Sequence, residues 1–226
     1  MRTLPNYPNR LDKKSKEMQS FYKVLSNSPF FPSAGRYNLT ICHKRKFIWF
    51  RVAKVATRTI LNHLKESDVF LDVEHPFQLH YPVNAYDNYF KFAFVRNPWD
   101  RLASCWRDKV IKQNHFQFAQ SELEKMKSFK NFVNYVYDQD VGNCDVHIRS
   151  QSELIDLNKI DYLGRIETFN KDAGVIFHKL GLPEKEISRW NVTSQKMPYQ
   201  EYYDEQLAEK VSHIYQRDIQ IFGYHY

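Results

Sequence analysis

The sequence predicts an α/β fold: one domain with a central parallel β-sheet flanked by helices. Three observations lead there. The order strand, loop, helix occurs three times along the chain. With 226 residues and 42% hydrophobic content there is enough apolar material for one sizeable core. Aromatic residues at 16% with only 6 glycines exclude a disordered or low-complexity chain. Strands alternating with helices are the pattern of parallel strands joined by helical crossovers, the sheet covered on both faces.

Taken in order, residues 1–36 are polar and rich in Pro and Asn, which reads as a surface arm with a short helix over FYKVL (21–25). Residues 37–226 then form the domain. YNLTICH (37–43) and KFIWFRV (46–52) are β-rich runs around the basic turn HKRK. TRTILNHLKES (57–67) has helical spacing at Ile60, Leu61 and Leu64. FKFAFV (90–95) is a strand that leads through RNP into a helix from Pro98 to about Val110, with Asn97 as cap and Pro98 at the first helical position. YLGRIE (162–167) is the third such strand, followed by a helix capped by Thr168 and closed by LGLP at Gly181. The stretches 114–137 and 200–218 read as additional helices.

Thirty-three Lys+Arg against 26 Asp+Glu give a net charge of +7, which suits an anionic ligand: nucleic acid, membrane surface, nucleotide or sulfated glycan. Cys42, Cys105 and Cys144 are odd in number and lack CxxC spacing, so neither a disulfide framework nor a zinc site is expected, and a reducing compartment fits. MRTLPNYPNRLDKKSKEMQ has no apolar segment of the secretory kind, and no run approaches 18 apolar residues. The expectation is a cytoplasmic protein without a membrane partner.

In a parallel sheet, ligands bind beyond the carboxyl ends of the strands. Two loops there are basic: RVAKVATRT, with Arg51, Lys54 and Arg58, and VRNPWDR, with Arg96 and Arg101. Each opens a helix whose free N–H groups favour an anion. GxxxxGK[ST] is absent and no obvious carboxylate follows a strand to hold magnesium, which disfavours nucleotide hydrolases and kinases. Two anion cradles without a metal remain. Behind Arg96, positions Asn97, Arg101, Ser104 and Asp108 share one helix face, while Trp99, Leu102, Ala103, Trp106 and Val110 lie opposite. A hydroxyl and a guanidinium could therefore converge on one phosphate. On periodicity alone the stripe reads more simply as a solvated face, and Lys54 as ordinary surface charge.

These residues resemble a family. R-x-P after an apolar strand, with Ser eight positions beyond the Arg, and an upstream strand–KVAxxT–helix look like the two cofactor signatures of sulfotransferases that use 3′-phosphoadenosine-5′-phosphosulfate. YFKFAFVRNPWDRLASCWRDKV, HIRSQSELIDLNKIDYLGRIETFNKDAGVIFHKLGL and YYDEQLAEKVSHIYQRDIQIFGY are similar to the carbohydrate sulfotransferases of chondroitin and dermatan type, from about Lys46 to the end. The resemblance implies a P-loop-like sulfotransferase fold. Arg51, Lys54 and the backbone of Val55, Ala56, Thr57, Arg58 and Thr59 would hold the 5′-phosphosulfate, and Arg96 with Ser104 the 3′-phosphate. Ala53 stands where the family usually has Pro, Arg58 where a small or hydroxylated residue is common, and HIRSQ where H-W-R-P-Q is usual. The last of these bears on acceptor binding. The anchor and cysteine pairs of the luminal enzymes are missing, which points to a soluble bacterial relative.

Transfer needs a base for the acceptor hydroxyl, and His is the type suited to neutral pH. His75 and His147 are the leading candidates, with His80 and Glu74 behind them. No metal is expected. The acceptor is a sugar hydroxyl, or alternatively a small natural product. A nucleic-acid-binding module is the rival of another class, disfavoured because Lys and Arg are dispersed and no RNP, KH or helix-turn-helix signature occurs.

Overall fold

The computed structural model describes residues 33–74, 78–183 and 197–226, together with Ser20, Phe21 and Val24. Ser20, Phe21 and Val24 are helical, while the rest of residues 1–32, including Tyr22, Lys23 and Leu25 of FYKVL, and the candidate base His75 lie outside the described residues.

Four strands form one sheet in sequential order: β1 (Leu39–Cys42), β2 (Phe47–Phe50), β3 (Phe90–Val95) and β4 (Tyr162–Arg165). β2, β3 and β4 are parallel, as expected. β1 instead runs antiparallel to β2, pairing Leu39 with Phe50 and Cys42 with Phe47. The reason is chain length: HKRK is too short for a crossover and permits only a hairpin. β1 and β2 are buried along their whole length, as is β3 beyond Phe90, which is why these strands are largely apolar; the exceptions, Thr40 and Lys91, are buried and hydrogen-bonded to backbone carbonyls. At the β4 edge Gly164 lies beneath Phe94; a Cβ there would come within 2.6 Å of that ring.

Helix α1 (Thr57–Glu66) buries Ile60, Leu61, His63 and Leu64. His63 stacks on Phe177 of α5 (Phe169–Lys179) at 4.2 Å, and Phe169 of α5 meets Phe94 of β3 at 5.4 Å. α1 and α5 thus pack together over the sheet. Helix α2 (Pro98–Trp106) packs with α4 (Phe129–Tyr137) and α6 (Glu205–Ile214). α2 stops four residues short of Val110 as an α-helix and continues as a π turn over Arg107–Ile111, the widened geometry often found beside functional residues. The stretch 114–137 divides into α3 (Gln120–Met126) and α4, and 200–218 into a 3₁₀ turn, α6 and α7 (Gln216–Phe222).

Thr168 occupies the cap position of α5, but its hydroxyl donates to Asp172 (2.6 Å) and accepts no backbone bond. The other end follows expectation. Gly181 takes a left-handed φ of 63°, and Gly181 N–H and Leu182 N–H donate to the His178 and Phe177 carbonyls, closing the helix. Among the described residues, no helix is long and apolar enough to cross a membrane.

Candidate active site

The β2–α1 loop is the first part of the site. Lys54 and Ala56 both adopt left-handed backbone, with φ of 72° and 59°. α1 starts after Ala56 with no side-chain cap and no acidic residue in its first turn. Among the described residues, the backbone N–H groups of Lys54, Val55, Ala56, Thr57 and Arg58 meet no protein acceptor. The carbonyls are treated differently. Arg101 Nε donates to Ala53 O (3.1 Å) and an Arg96 nitrogen donates to Lys54 O (3.2 Å), while Thr57 Oγ1 donates to Val52 O (3.2 Å). In a trans peptide the C=O and N–H point in opposite directions. The two arginines therefore turn the N–H groups of Lys54 and Val55 away from themselves, towards one side of the loop. Successive inward N–H groups at an uncapped helix start make an anion-binding concavity.

The Lys54 side chain is 13% exposed and its ammonium lies 2.7 Å from Asp108 Oδ2. Burial lowers the Lys54 pKa even though Asp108 pulls it upward. At Asp108 burial acts upward, but the bond and charge of Lys54 outweigh it and hold the carboxyl below its usual range. The difference follows exposure, since Asp108 is more open to solvent at 28%.

The β3–α2 turn is built otherwise. The Arg96 guanidinium is bidentate to Asp100 (2.7 and 2.7 Å), and the residue is buried. Gln151 clamps the Arg96 backbone, accepting from its N–H (3.0 Å) and donating to its carbonyl (2.9 Å). Asn97 caps α2 by accepting from Trp99 and Asp100 N–H, and Asn97 N–H donates to Glu167 (2.6 Å). The expectation of free N–H groups at this helix start is thus corrected: the protein itself satisfies them. Arg96, Asp100, Arg107, Glu167 and Tyr199 line a cleft of about 330 Å³.

Arg101 is 2% exposed and reaches from Ala53 O to Val146 O (3.1 Å), so it joins the β2–α1 loop to the segment containing His147. There Asp145 Oδ1 accepts from His147 N–H (2.9 Å) and lies 2.8 Å from His147 Nδ1, while Asp145 Oδ2 lies 3.1 Å from His115 Nε2. Burial lowers the His147 pKa, with Lys109 assisting, against the upward pull of Asp145. His147 is then neutral at pH 7, its Nδ1–H aimed at Asp145 and Nε2 left as an acceptor. Burial alone would raise Asp145, but the bonds from His147 and His115 hold its carboxyl well below the ordinary range.

The structure thus brings Lys54, Val55, Ala56, Thr57, Arg58 and Arg96 into one neighbourhood, with Thr59 buried behind them in the first turn of α1. Ser104 is half-buried one turn before Asp108, and its hydroxyl makes no hydrogen bond among the described residues. Two members of the stripe, Arg101 and Asp108, face the β2–α1 loop, whereas the Asn97 side chain caps α2 and donates to His225 O (2.9 Å), so the stripe is not simply a solvated face. Arg51 is directed elsewhere, donating to Glu74 O (2.6 Å) and lying over the Trp49 ring at 5.3 Å. Glu74 pairs with Lys65, and His80 Nδ1 with the Ser33 hydroxyl (3.0 Å). Sequence reasoning did not assign roles to Arg101, Asp108, Asp145 or Gln151. Arg101 and Asp108 were visible in the stripe. Gln151 stood in HIRSQ, which was read for acceptor binding, whereas its side chain holds Arg96.

Comparison with known proteins adds a family. The model of the Sulfotransferase family matches residues 37–225. Carbohydrate sulfotransferase 14 of Danio rerio is 25% identical over 213 residues, covering 78% of this chain and 56% of that protein. Carbohydrate sulfotransferase 10 of Xenopus laevis is 25% identical over 174 residues, 61% of this chain and 48% of that one. Carbohydrate sulfotransferase 9 of Homo sapiens is 30% identical over 120 residues, 44% and 27% of the two chains. The chain therefore covers from 27% to 56% of the length of these relatives. No solved structure matches.

Proposed function

Since the chain belongs to the Sulfotransferase family, we propose that it moves a sulfuryl group from 3′-phosphoadenosine-5′-phosphosulfate to a carbohydrate hydroxyl, with Lys54 serving the leaving group and His147 the nucleophile. The observation that carries this is the orientation of the β2–α1 loop. Two buried arginines hold its carbonyls, and five N–H groups from Lys54 to Arg58, without an acceptor among the described residues, are left for an anion. That donor set fits a phosphosulfate, since the uncapped start of α1 has no acidic side chain to compete with it.

In the reaction the acceptor oxygen forms a bond to sulfur as the bond from sulfur to the bridging phosphate oxygen breaks. His147 Nε2 takes the acceptor's proton, with Asp145 fixing the tautomer from the other side of the ring. Lys54, released from Asp108, would neutralise charge on the departing oxygen together with the loop N–H groups. Sulfuryl transfer shares with phosphoryl transfer a dependence on positioning and charge stabilisation. Arg96 and Ser104 would take the 3′-phosphate, Arg96 by sharing its fork with Asp100 or giving Asp100 up. The names of the relatives support a carbohydrate as acceptor.

The test combines calorimetry with adenosine 3′,5′-bisphosphate and transfer of labelled sulfate to a panel of glycans. Arg96→Ala should weaken the bisphosphate by about 1.5–3 kcal/mol, roughly ten- to a hundredfold, because a charge-assisted fork is lost. Unchanged affinity in a folded Arg96→Ala protein would remove the cofactor assignment. Transfer to no glycan would remove the acceptor class.

A further inference from the structure

His115, Asp145 and His147 place one ligand atom each within 4.8 Å of the others. His115 Nε2 lies 3.1 Å from Asp145 Oδ2, and His147 Nδ1 lies 2.8 Å from Asp145 Oδ1. A tetrahedral zinc ion with bonds of about 2.0–2.2 Å spaces its ligand atoms roughly 3.3 Å apart. The two nitrogen–oxygen separations, one to each carboxylate oxygen, lie within roughly 0.5 Å of that spacing, and side-chain rotation would bring the two ring nitrogens onto a shared ion.

Both loops that supply these ligands are braced. Asn114 exchanges two hydrogen bonds with Phe118 (2.8 and 2.9 Å), and His115 N–H donates to Lys109 O (3.0 Å). On the other side Asp145 O accepts from Ile148 and Arg149 N–H, and Arg101 holds Val146 O. Ligands held this way lose little freedom on binding. Two imidazoles and one carboxylate suit zinc, cobalt or nickel, whereas magnesium and calcium favour all-oxygen shells.

We propose that His115, Asp145 and His147 bind a divalent cation of the zinc class, and that its binding switches off sulfuryl transfer. The inhibitory half rests on the reading of His147 as base; the binding half does not. Both rings now present an N–H to the carboxylate. Coordination through those nitrogens needs lone pairs there, so in His147 the proton moves from Nδ1 to Nε2. The atom that should accept the acceptor's proton then carries one already. Lys109, whose charge reaches His147, opposes a cation at this site.

The experiment uses the full chain stripped with chelator, with zinc binding measured by competition against a chromophoric chelator and sulfate transfer measured at the same free zinc levels. The parent should bind one zinc, and inhibition should follow occupancy. His115→Ala should weaken zinc by roughly tenfold or more and move the inhibition midpoint equally, while transfer in metal-free buffer stays within about threefold. Magnesium at the same concentrations should do nothing. A parent that binds no zinc below about 100 μM, or a His115→Ala protein that binds as the parent does, overturns the site. If zinc binds at these residues and transfer continues at full rate, the switch fails and so does His147 as base, while the binding site stands.

Discussion

The two strand-to-helix turns of the site carry nearly the same local pattern, an apolar strand followed by a basic loop and a helix, yet they end in opposite states. At the start of α1 the cap residue is Ala56, no carboxylate lies in the first turn, and the N–H groups meet no acceptor among the described residues. At the start of α2 Asn97 caps two N–H groups, Asp100 sits in the first turn, and Gln151 and Glu167 take the N–H groups of Arg96 and Asn97. The first end is a receptor built from backbone. The second is a brace, from which Arg96 and Arg101 reach over to hold the receptor's carbonyls. A basic loop ahead of a helix is therefore not by itself an anion site; the cap residue decides which role it takes.

The largest expected effect tests the receptor end. Lys54→Ala should lower the rate at saturating substrates by roughly 10²–10³-fold, because charge on the bridging oxygen develops in the transition state, with a smaller change in bisphosphate affinity. A large loss of affinity with an unchanged rate would assign Lys54 to binding and not to the leaving group.

Next comes the arm that Arg101 ties to both. His147 has a pKa held below the ordinary histidine value by burial, and it works as a base only when neutral. The rate should thus fall as pH drops through that lowered value, giving an acidic limb below about pH 6.5. Asp145→Asn removes an upward contribution, so the limb should move to still lower pH while the plateau rate drops about 10- to 100-fold. A limb that stays in place in the folded variant would place the titrating group elsewhere, with His80 and the undescribed His75 next to be replaced.

The sharpest challenge to the comparison is to make the open end resemble the closed one. Ala56→Asp puts a carboxylate at the start of α1, at a left-handed position that Asp tolerates. It should weaken the bisphosphate by about 1.4 kcal/mol or more, roughly tenfold, without loss of stability. Equal affinity by calorimetry would mean the N–H groups of α1 are not the receptor.

The smallest effect is expected at the brace. Asn97→Ala should cost about 1 kcal/mol of stability in denaturant titration, the usual value of a cap, and leave bisphosphate affinity nearly unchanged. A tenfold affinity loss would show that the N–H groups at the start of α2, and not only the Arg96 and Ser104 side chains, take part in binding.

Most of this framework was legible in the sequence because it is local. FKFAFV matches the observed bounds of β3, since a strand buried on both faces is apolar at nearly every position, here all but Lys91, and Asn-Pro marked the start of α2. The face shared by Asn97, Arg101, Ser104 and Asp108 was also legible, but periodicity could not say what that face meets. Arg101 finds its partners 48 and 45 residues away, and Gln151 reaches Arg96 across 55. Contacts of that span leave no periodic trace. The antiparallel β1 was hidden differently: its residues read as a strand in either direction, and only the length of HKRK fixed the sense.

The π turn at Arg107–Ile111 can be read as an insertion. A π turn holds one residue more than the α register, and each residue of a helix turns the chain by about 100°. Everything from Lys112 onward therefore leaves α2 a quarter-turn or more away from where a regular helix would send it. His115 reaches Asp145 from that displaced exit. A homologue one residue shorter at this place would keep Lys54, Arg96 and Arg101 in register, all upstream, and would deliver position 115 to another side of the molecule. Gain or loss of a single codon could thus attach or detach the His115 loop without touching the machinery that precedes it.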